Sequence, residues 1–275
     1  MWPATSSRTS STWQRSINRC STTWQPPSTE TRASLLVETT LDDLAAGLGL
    51  GTSEVVSLVG GGGKTTSLFS LGALLPGAVV LTTTTKMGSE RTGEVPVLVN
   101  PQLGELTEQV GAKSPVLVWA GVDGRKALGV SADDCDRWFA SPRIDSVVIE
   151  ADGSRKRPFK APLDHEPVVP SSTTTLVACI GASALGQVIA ESCQRPERVA
   201  AIAGCSTADL LTPERAALVL TDSDGSKKGL PPGAQFVVAA HRVEQVQRNL
   251  VAQLADAVAR IDAGIDVVAV AAQSG

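Results

Sequence analysis

The stretch Val55-Val56-Ser57-Leu58-Val59-Gly60-Gly61-Gly62-Gly63-Lys64-Thr65-Thr66 decides the fold of this 275-residue chain. A short apolar run reads as a buried strand, and four glycines follow it without a break. Leu68, Phe69, Leu71 and Leu74 then recur at helical spacing until Pro76-Gly77 stops them. Strand, glycine loop and helix in that order make an anion site. Residues without Cβ let successive N–H groups turn toward one ligand, and the helix N-terminus adds partial positive charge. Lys64 would bridge the outer phosphates of a nucleoside triphosphate, ATP or GTP, and the Thr65 hydroxyl would hold Mg2+. The nucleotide-binding set is therefore Gly60, Gly61, Gly62, Gly63, Lys64, Thr65 and Thr66. A glycine-rich turn with an incidental Lys-Thr is the competing reading, but a turn alone does not need four glycines.

Outward from this loop, short apolar runs alternate with amphipathic segments, which is how a mostly parallel sheet with flanking helices reads. The candidate strands are 55–59, 78–82, 96–99, 116–120, 146–150, 176–180, 235–240 and 266–271. Ser131 with Asp134 makes a capping-box pattern, and Thr212-Pro213-Glu214 places an N-cap before a first-turn proline. Residues 242–261 are expected to form one long helix with Val243, Val246, Leu250, Leu254 and Val258 on a common face. The expectation is a P-loop NTPase-like α/β domain of three layers over residues 35–275, preceded by an extension at 1–34. Residues 1–29 contain 13 Ser or Thr, three Arg and no acid, so that extension is expected to be disordered. Its composition also resembles a transit peptide but lacks the apolar face; a true start of translation near Val37 is the plainer reading.

Ligands of an open parallel sheet sit beyond the carboxyl ends of its strands. Two such ends carry chemistry. Val147-Val148-Ile149 ends in Glu150-Ala151-Asp152-Gly153-Ser154, two carboxylates that are expected, with Thr65, to hold the metal and to orient an attacking water. Lys64, Glu150 and Asp152 are thus the candidate catalytic residues. Leu81 is followed by Thr82-Thr83-Thr84-Thr85-Lys86, which supplies hydroxyls and a second cation.

A formal charge of −4 offers no general attraction to nucleic acid, and no apolar run reaches the roughly 18–20 residues of a spanning helix. Five scattered cysteines without a CxxC pair, and only two histidines, indicate neither a disulfide framework nor a zinc site. A reducing cytoplasm is the expected location. Nothing in the sequence sets the oligomeric state.

The segments VGGGGKTT (59–66), LTTTTKM (81–87), VIEADGSRKRPFKAPLDHEPVVP (148–170) and IGASALG (180–186), with the later RPE (195–197), resemble the YqeC-type proteins. That group is described as selenium-dependent hydroxylase accessory proteins. The resemblance implies a P-loop fold and a part in maturing molybdenum-containing hydroxylases, with the molybdenum cofactor or the hydroxylase itself as partner. It places the switch on Glu150, Asp152 and Gly153, and matches Lys160, Asp164, His165 and Glu166 without assigning them a role. Thr82, Thr85, Lys86, Gly153, Lys160, Asp164 and His165 are kept as candidate second-ligand or switch residues. Two departures count. The lysine that begins the KGGxGK[ST]T loop of related P-loop proteins is Val59 here, and the guanine-reading acid is missing where Ala240-His241-Arg242-Val243 stands, which makes ATP at least as good a candidate as GTP.

Three functions remain open at this point: a Mg-dependent NTPase, a nucleotide- or cofactor-holding module that does not hydrolyse, and a small-molecule kinase. The last is the weakest, because no acceptor motif is visible.

Overall fold

In the computed structural model, residues 36–272 are described; the expected extension at 1–34 lies outside them. Nine strands form one sheet: β1 (Leu36–Thr39), β2 (Val55–Gly60), β3 (Val79–Thr83), β4 (Val97–Val99), β5 (Val116–Trp119), β6 (Ser146–Glu150), β7 (Thr175–Gly181), β8 (Gln235–Val243) and β9 (Asp266–Ala271). Their order is β1-β9-β8-β7-β2-β6-β3-β5-β4, and every neighbouring pair is parallel. The eight expected strands are all present. The edge strand β1 is an addition, because its four residues mix Leu and Val with Glu and Thr and alternate between exposed and half-buried.

Strand β2 lies near the middle of the sheet with all six residues buried, so both of its faces must be apolar. Val55 and Val59 point into one core and Val56 and Leu58 into the other. Helices α1 (Leu44–Gly47) and α2 (Lys64–Leu74) cover the second face. Helices α3 (Leu103–Ala112), α4 (Ala132–Phe139), α5 (Ile189–Ser192), α6 (Pro196–Ala203), α7 (Pro213–Thr221) and α8 (Arg248–Ile261) cover the first. The result is the expected three-layer α/β arrangement. Both expected caps form: Ser131 and Asp134 exchange capping-box bonds at α4, and Thr212 accepts the Arg215 amide at α7.

The long carboxy-terminal helix is shorter than its pattern suggested. Arg242 and Val243 extend β8, where Val243 pairs with Ala271 after a bulge at His241, and Val246 is 74% exposed in the turn that follows. Helix α8 begins only at Arg248, and its buried face is Val251, Leu254, Ala255 and Val258. The apolar residues at 243 and 246 fit a helical period by coincidence. Sheet pairing claims the first of them.

Two small sheets were also unforeseen. Phe159–Lys160 pairs with Cys193–Gln194, and Met87–Gly88, Lys126–Leu128 and Gly121–Asp123 make a three-stranded antiparallel sheet. No described helix is long and apolar enough to cross a membrane.

Candidate functional site

The glycine loop closes β2 onto α2. Gly60, Gly62 and Gly63 have φ of 91°, 72° and 89°, a region that side chains with Cβ rarely enter. Close approach adds to that demand at Gly61, where a Cβ would lie 2.8 Å from the Arg157 carbonyl oxygen and the Phe159 nitrogen. A Cβ at Gly63 would collide with the His241 ring. Two loop amides are already spent: Gly60 donates to Asp152 Oδ2 at 3.1 Å and Gly61 to the Cys179 carbonyl at 2.9 Å. Gly63 is the N-cap of α2 and has no side chain to cap with, so the first-turn amides of Lys64, Thr65 and Thr66 keep no intrahelical acceptor. They sit at the end of the helix that favours an anion.

Lys64 is 3% exposed and turned back under the loop, donating to the Gly60 carbonyl and facing Asp152 Oδ1 at 3.2 Å. Burial opposes its charge, but Asp152 and then Glu150 outweigh that and raise its pKa above the ordinary 10.5. Asp152 is itself 1% exposed, and its second oxygen faces Lys160 Nζ at 3.0 Å. Lys160 donates to Glu166 Oε2 and to the Gly153 carbonyl, both at 2.8 Å, and Glu166 accepts Arg195 at 2.7 Å. Burial alone would raise the Glu166 carboxyl, but the Lys160 and Arg195 hydrogen bonds bring it down to about 2. An alternating chain of charges thus runs Lys64, Asp152, Lys160, Glu166, Arg195 from the loop to the start of α6.

Glu150 ends β6 beside the loop, and its Oε2 accepts the Thr65 hydroxyl at 2.8 Å. Arg91 reaches the same hydroxyl oxygen at 3.3 Å. One hydroxyl and one carboxylate are suitable oxygen ligands for a hard cation that keeps several waters. Asp152 does not join them, because it is held below the loop by two lysines. No cluster of three or more His, Cys, Asp or Glu suited to a metal occurs among the described residues.

The loop opens into a cleft of about 1270 Å³. Eight of its lining residues are cationic, Lys64, Lys86, Arg91, Arg125, Lys126, Arg155, Lys156 and Arg242, against Glu90 and Glu150. In a chain of net charge −4 this is a marked local reversal. Arg155, Lys156 and Arg242 have φ of 49°, 63° and 56°, so three of these cations are displayed from strained backbone. The bulge in β8 is what re-aims Arg242. Its neighbour His241 is buried over Gly63, 3.2 Å from the Ser67 hydroxyl, and burial, then Arg242 and Lys64, hold its pKa down to about 4.

Other expected residues fall elsewhere. Thr82 is buried and donates to the Val118 carbonyl at 2.8 Å, Thr83 donates to the Glu150 carbonyl at 2.9 Å, and Thr84 to the Val168 carbonyl at 2.8 Å. The threonine run therefore ties the ends of β3, β5 and β6 together. Thr85 accepts from Thr83 through its carbonyl, outside the cleft lining, whereas Lys86 and Gly153 do line it. Lys160 is 1% exposed with its ammonium fully paired, and Asp164 and His165 are exposed away from the cleft, Asp164 facing Arg198 at 3.1 Å. Arg91, Arg125, Lys126 and Arg242 carried no motif in the sequence. Arg155 and Lys156 stand in the 148–170 segment that carries the family resemblance, which gives them no role.

A model of the family described as YqeC protein matches residues 56–197, which span the glycine loop, the threonine run and the acidic strand end. The chain is 33% identical over 207 residues to the uncharacterized protein YqeC of Escherichia coli (strain K12), covering 72% of this chain and 79% of that one. No solved structure matches it.

Proposed function

The chain belongs to the YqeC family, and from the form of its loop and cleft we propose that it binds a magnesium nucleoside triphosphate. The carrying observation is the open N-terminus of α2 behind Gly60–Gly63, facing a cleft to which Lys64, Arg91, Arg155, Lys156 and Arg242 contribute, with the Thr65 and Glu150 oxygens together at its edge. Amides and ammonium groups would hold the phosphates, and Thr65 with Glu150 would hold the metal, whose charge would offset that of the phosphates. Arg91, beside Thr65, is placed to meet charge on a terminal phosphate, the task of an arginine in phosphoryl-transfer sites.

Lys64 is tied to Asp152 and the Gly60 carbonyl, so reaching a phosphate means exchanging one anionic partner for another. Asp152 would remain compensated by Lys160 and the Gly60 amide during that exchange. On this reading Asp152 positions Lys64, and Glu150 is the carboxylate that serves the metal. The engagement of Asp152 also favours a second reading, a module that holds nucleotide without turnover, since one of the two acids is unavailable to a water. Magnesium-dependent phosphate release separates the two. Glu150→Gln should reduce release more than it reduces ATP affinity if the protein is an NTPase, and wild-type protein that binds ATP without multiple turnover would establish the module.

ATP is proposed to bind at least as well as GTP. His241 stands two residues before the end of β8, buried against Gly63 and Ser67, and Arg242 and Val243 follow it, so no carboxylate stands there to accept the guanine donors. Titration of both nucleotides side by side tests this, and a strong preference for GTP would overturn it. We further propose, from the family resemblance, a part in maturing molybdenum hydroxylases. Metal, pterin and activity per polypeptide, measured on a hydroxylase from deletion and complemented strains, should all be low without this protein. Normal values would remove that role and leave nucleotide binding intact.

A further inference from the structure

One wall of the cleft is a structure of its own. In the three-stranded antiparallel sheet, Gly88 is opposite Lys126, the Ser89 amide donates to the Arg125 carbonyl at 3.1 Å, and Lys86 faces Asp123 at 3.7 Å. The buried side chains of Met87 and Ala127 anchor this sheet on the core that also holds α2. Its register therefore brings Lys86, Arg125 and Lys126 to one place on the cleft. Among the described residues, neither Arg125 nor Lys126 has a carboxylate within 4.0 Å, although both line the cleft. Arg91, from the segment leading out of the same sheet, reaches Thr65 and so joins this wall to the hydroxyl end of the glycine loop.

Volume and charge argue against a single occupant. Pockets for one small ligand run from about 300 to 1,000 Å³, and this cleft is about 1270 Å³. The loop amides, Lys64 and Arg91 are already a sufficient site for a triphosphate, yet Lys86, Arg125 and Lys126 add further positive charge on a separate element. Clustered like charges repel one another, and an anion relieves that cost.

We propose that this wall, with Arg125 and Lys126 at its centre, binds a second small molecule bearing a phosphate group, alongside the nucleotide. The proposal rests on the nucleotide reading for the occupant of the loop and adds a co-ligand of stated chemistry on the opposite element. A concave cleft of this volume suits a small molecule better than an extended nucleic acid.

Inorganic pyrophosphate is the probe, titrated calorimetrically into the full chain already saturated with magnesium and ATPγS. Saturable binding is expected. The exposed pair Arg125→Glu/Lys126→Glu should weaken it by at least about tenfold and leave ATPγS affinity unchanged, whereas Lys64→Ala should do the reverse. If ATPγS does not bind at all, pyrophosphate binding to the free chain that depends on Arg125 and Lys126 but not on Lys64 keeps the second site, and only the nucleotide reading fails. Competition of pyrophosphate with ATPγS for one site, or wild-type pyrophosphate affinity in the double variant, overturns the proposal. So does a single-stranded oligonucleotide that binds more tightly than pyrophosphate through the same two residues, since the wall would then be a nucleic-acid surface.

Discussion

Lys64 is the residue whose removal reads most directly on the loop. Lys64→Ala should weaken magnesium-ATP binding by about tenfold or more, because a charge-assisted contact contributes on the order of 1.5–3 kcal/mol. The variant should still fold, since Asp152 keeps Lys160 and the Gly60 amide; unchanged affinity in calorimetry would sink the phosphate-loop assignment. His241 supplies a second residue-scale test. Its folded pKa of about 4 lies below the ordinary 6.5, so the unfolded chain binds this proton more readily. The stability from keeping the ring neutral is complete above pH 6.5 and is lost as pH falls toward 4. Glu166, held at about 2 against an ordinary 4.5, loses its contribution only as pH falls from 4.5 through about 2. Urea unfolding between pH 7 and 4 should show the earlier loss in the wild type and a flatter profile in His241→Asn. Equal slopes in the two proteins would remove His241 as the cause.

At the scale of elements, the buried charge chain fastens β2, the segment after β6 and the start of α6 to one another. Lys160→Met leaves Asp152 and Glu166 each short of one cation, and breaking a buried pair from one side costs about 3–5 kcal/mol. Denaturant unfolding should show a loss of that order, and a loss below about 1 kcal/mol would mean that Lys64 and Arg195 suffice alone. The same chain explains why Lys160 and Glu166 stand in an otherwise polar, proline-rich loop. They serve the loop's attachment under the glycine run, and composition alone could not separate that use from a solvated surface. The threonine run has a similar lesson, for its hydroxyls satisfy carbonyls at the ends of neighbouring strands.

For the whole molecule, an acidic chain with a basic cleft should bind anions in a strongly salt-dependent way. Raising ionic strength from about 0.01 to 0.15 M shortens the screening length from about 30 to 8 Å, so the exposed cations of the cleft lose reach while buried Lys64 loses little. Nucleotide affinity in the Arg125→Glu/Lys126→Glu variant should therefore keep a clear salt dependence from Arg155, Lys156 and Arg242, and pyrophosphate affinity should lose most of its own. Isothermal titration at the two salt concentrations checks this. Identical salt slopes for both ligands in that variant would mean that the walls do not act separately.

Eight of the nine strands of the main sheet and the glycine loop are legible in the local sequence. A buried strand is apolar on both faces wherever it sits, and a loop that turns with positive φ at Gly60, Gly62 and Gly63 needs glycine there, so both signals are local and survive without the fold. Glu150 and Asp152 were legible as a pair for the same reason, by their place after an apolar run. Only the tertiary structure divided them, sending Glu150 to Thr65 and Asp152 beneath the loop between two lysines. It alone gathered Arg91, Arg125, Lys126 and Arg242 around one cleft, and it moved the start of the expected helix to Arg248 by pairing Val243 with Ala271. These are contacts between residues tens to hundreds of positions apart. Their partners are chosen by sheet order and by the bulge in β8, and no local period or composition carries that choice.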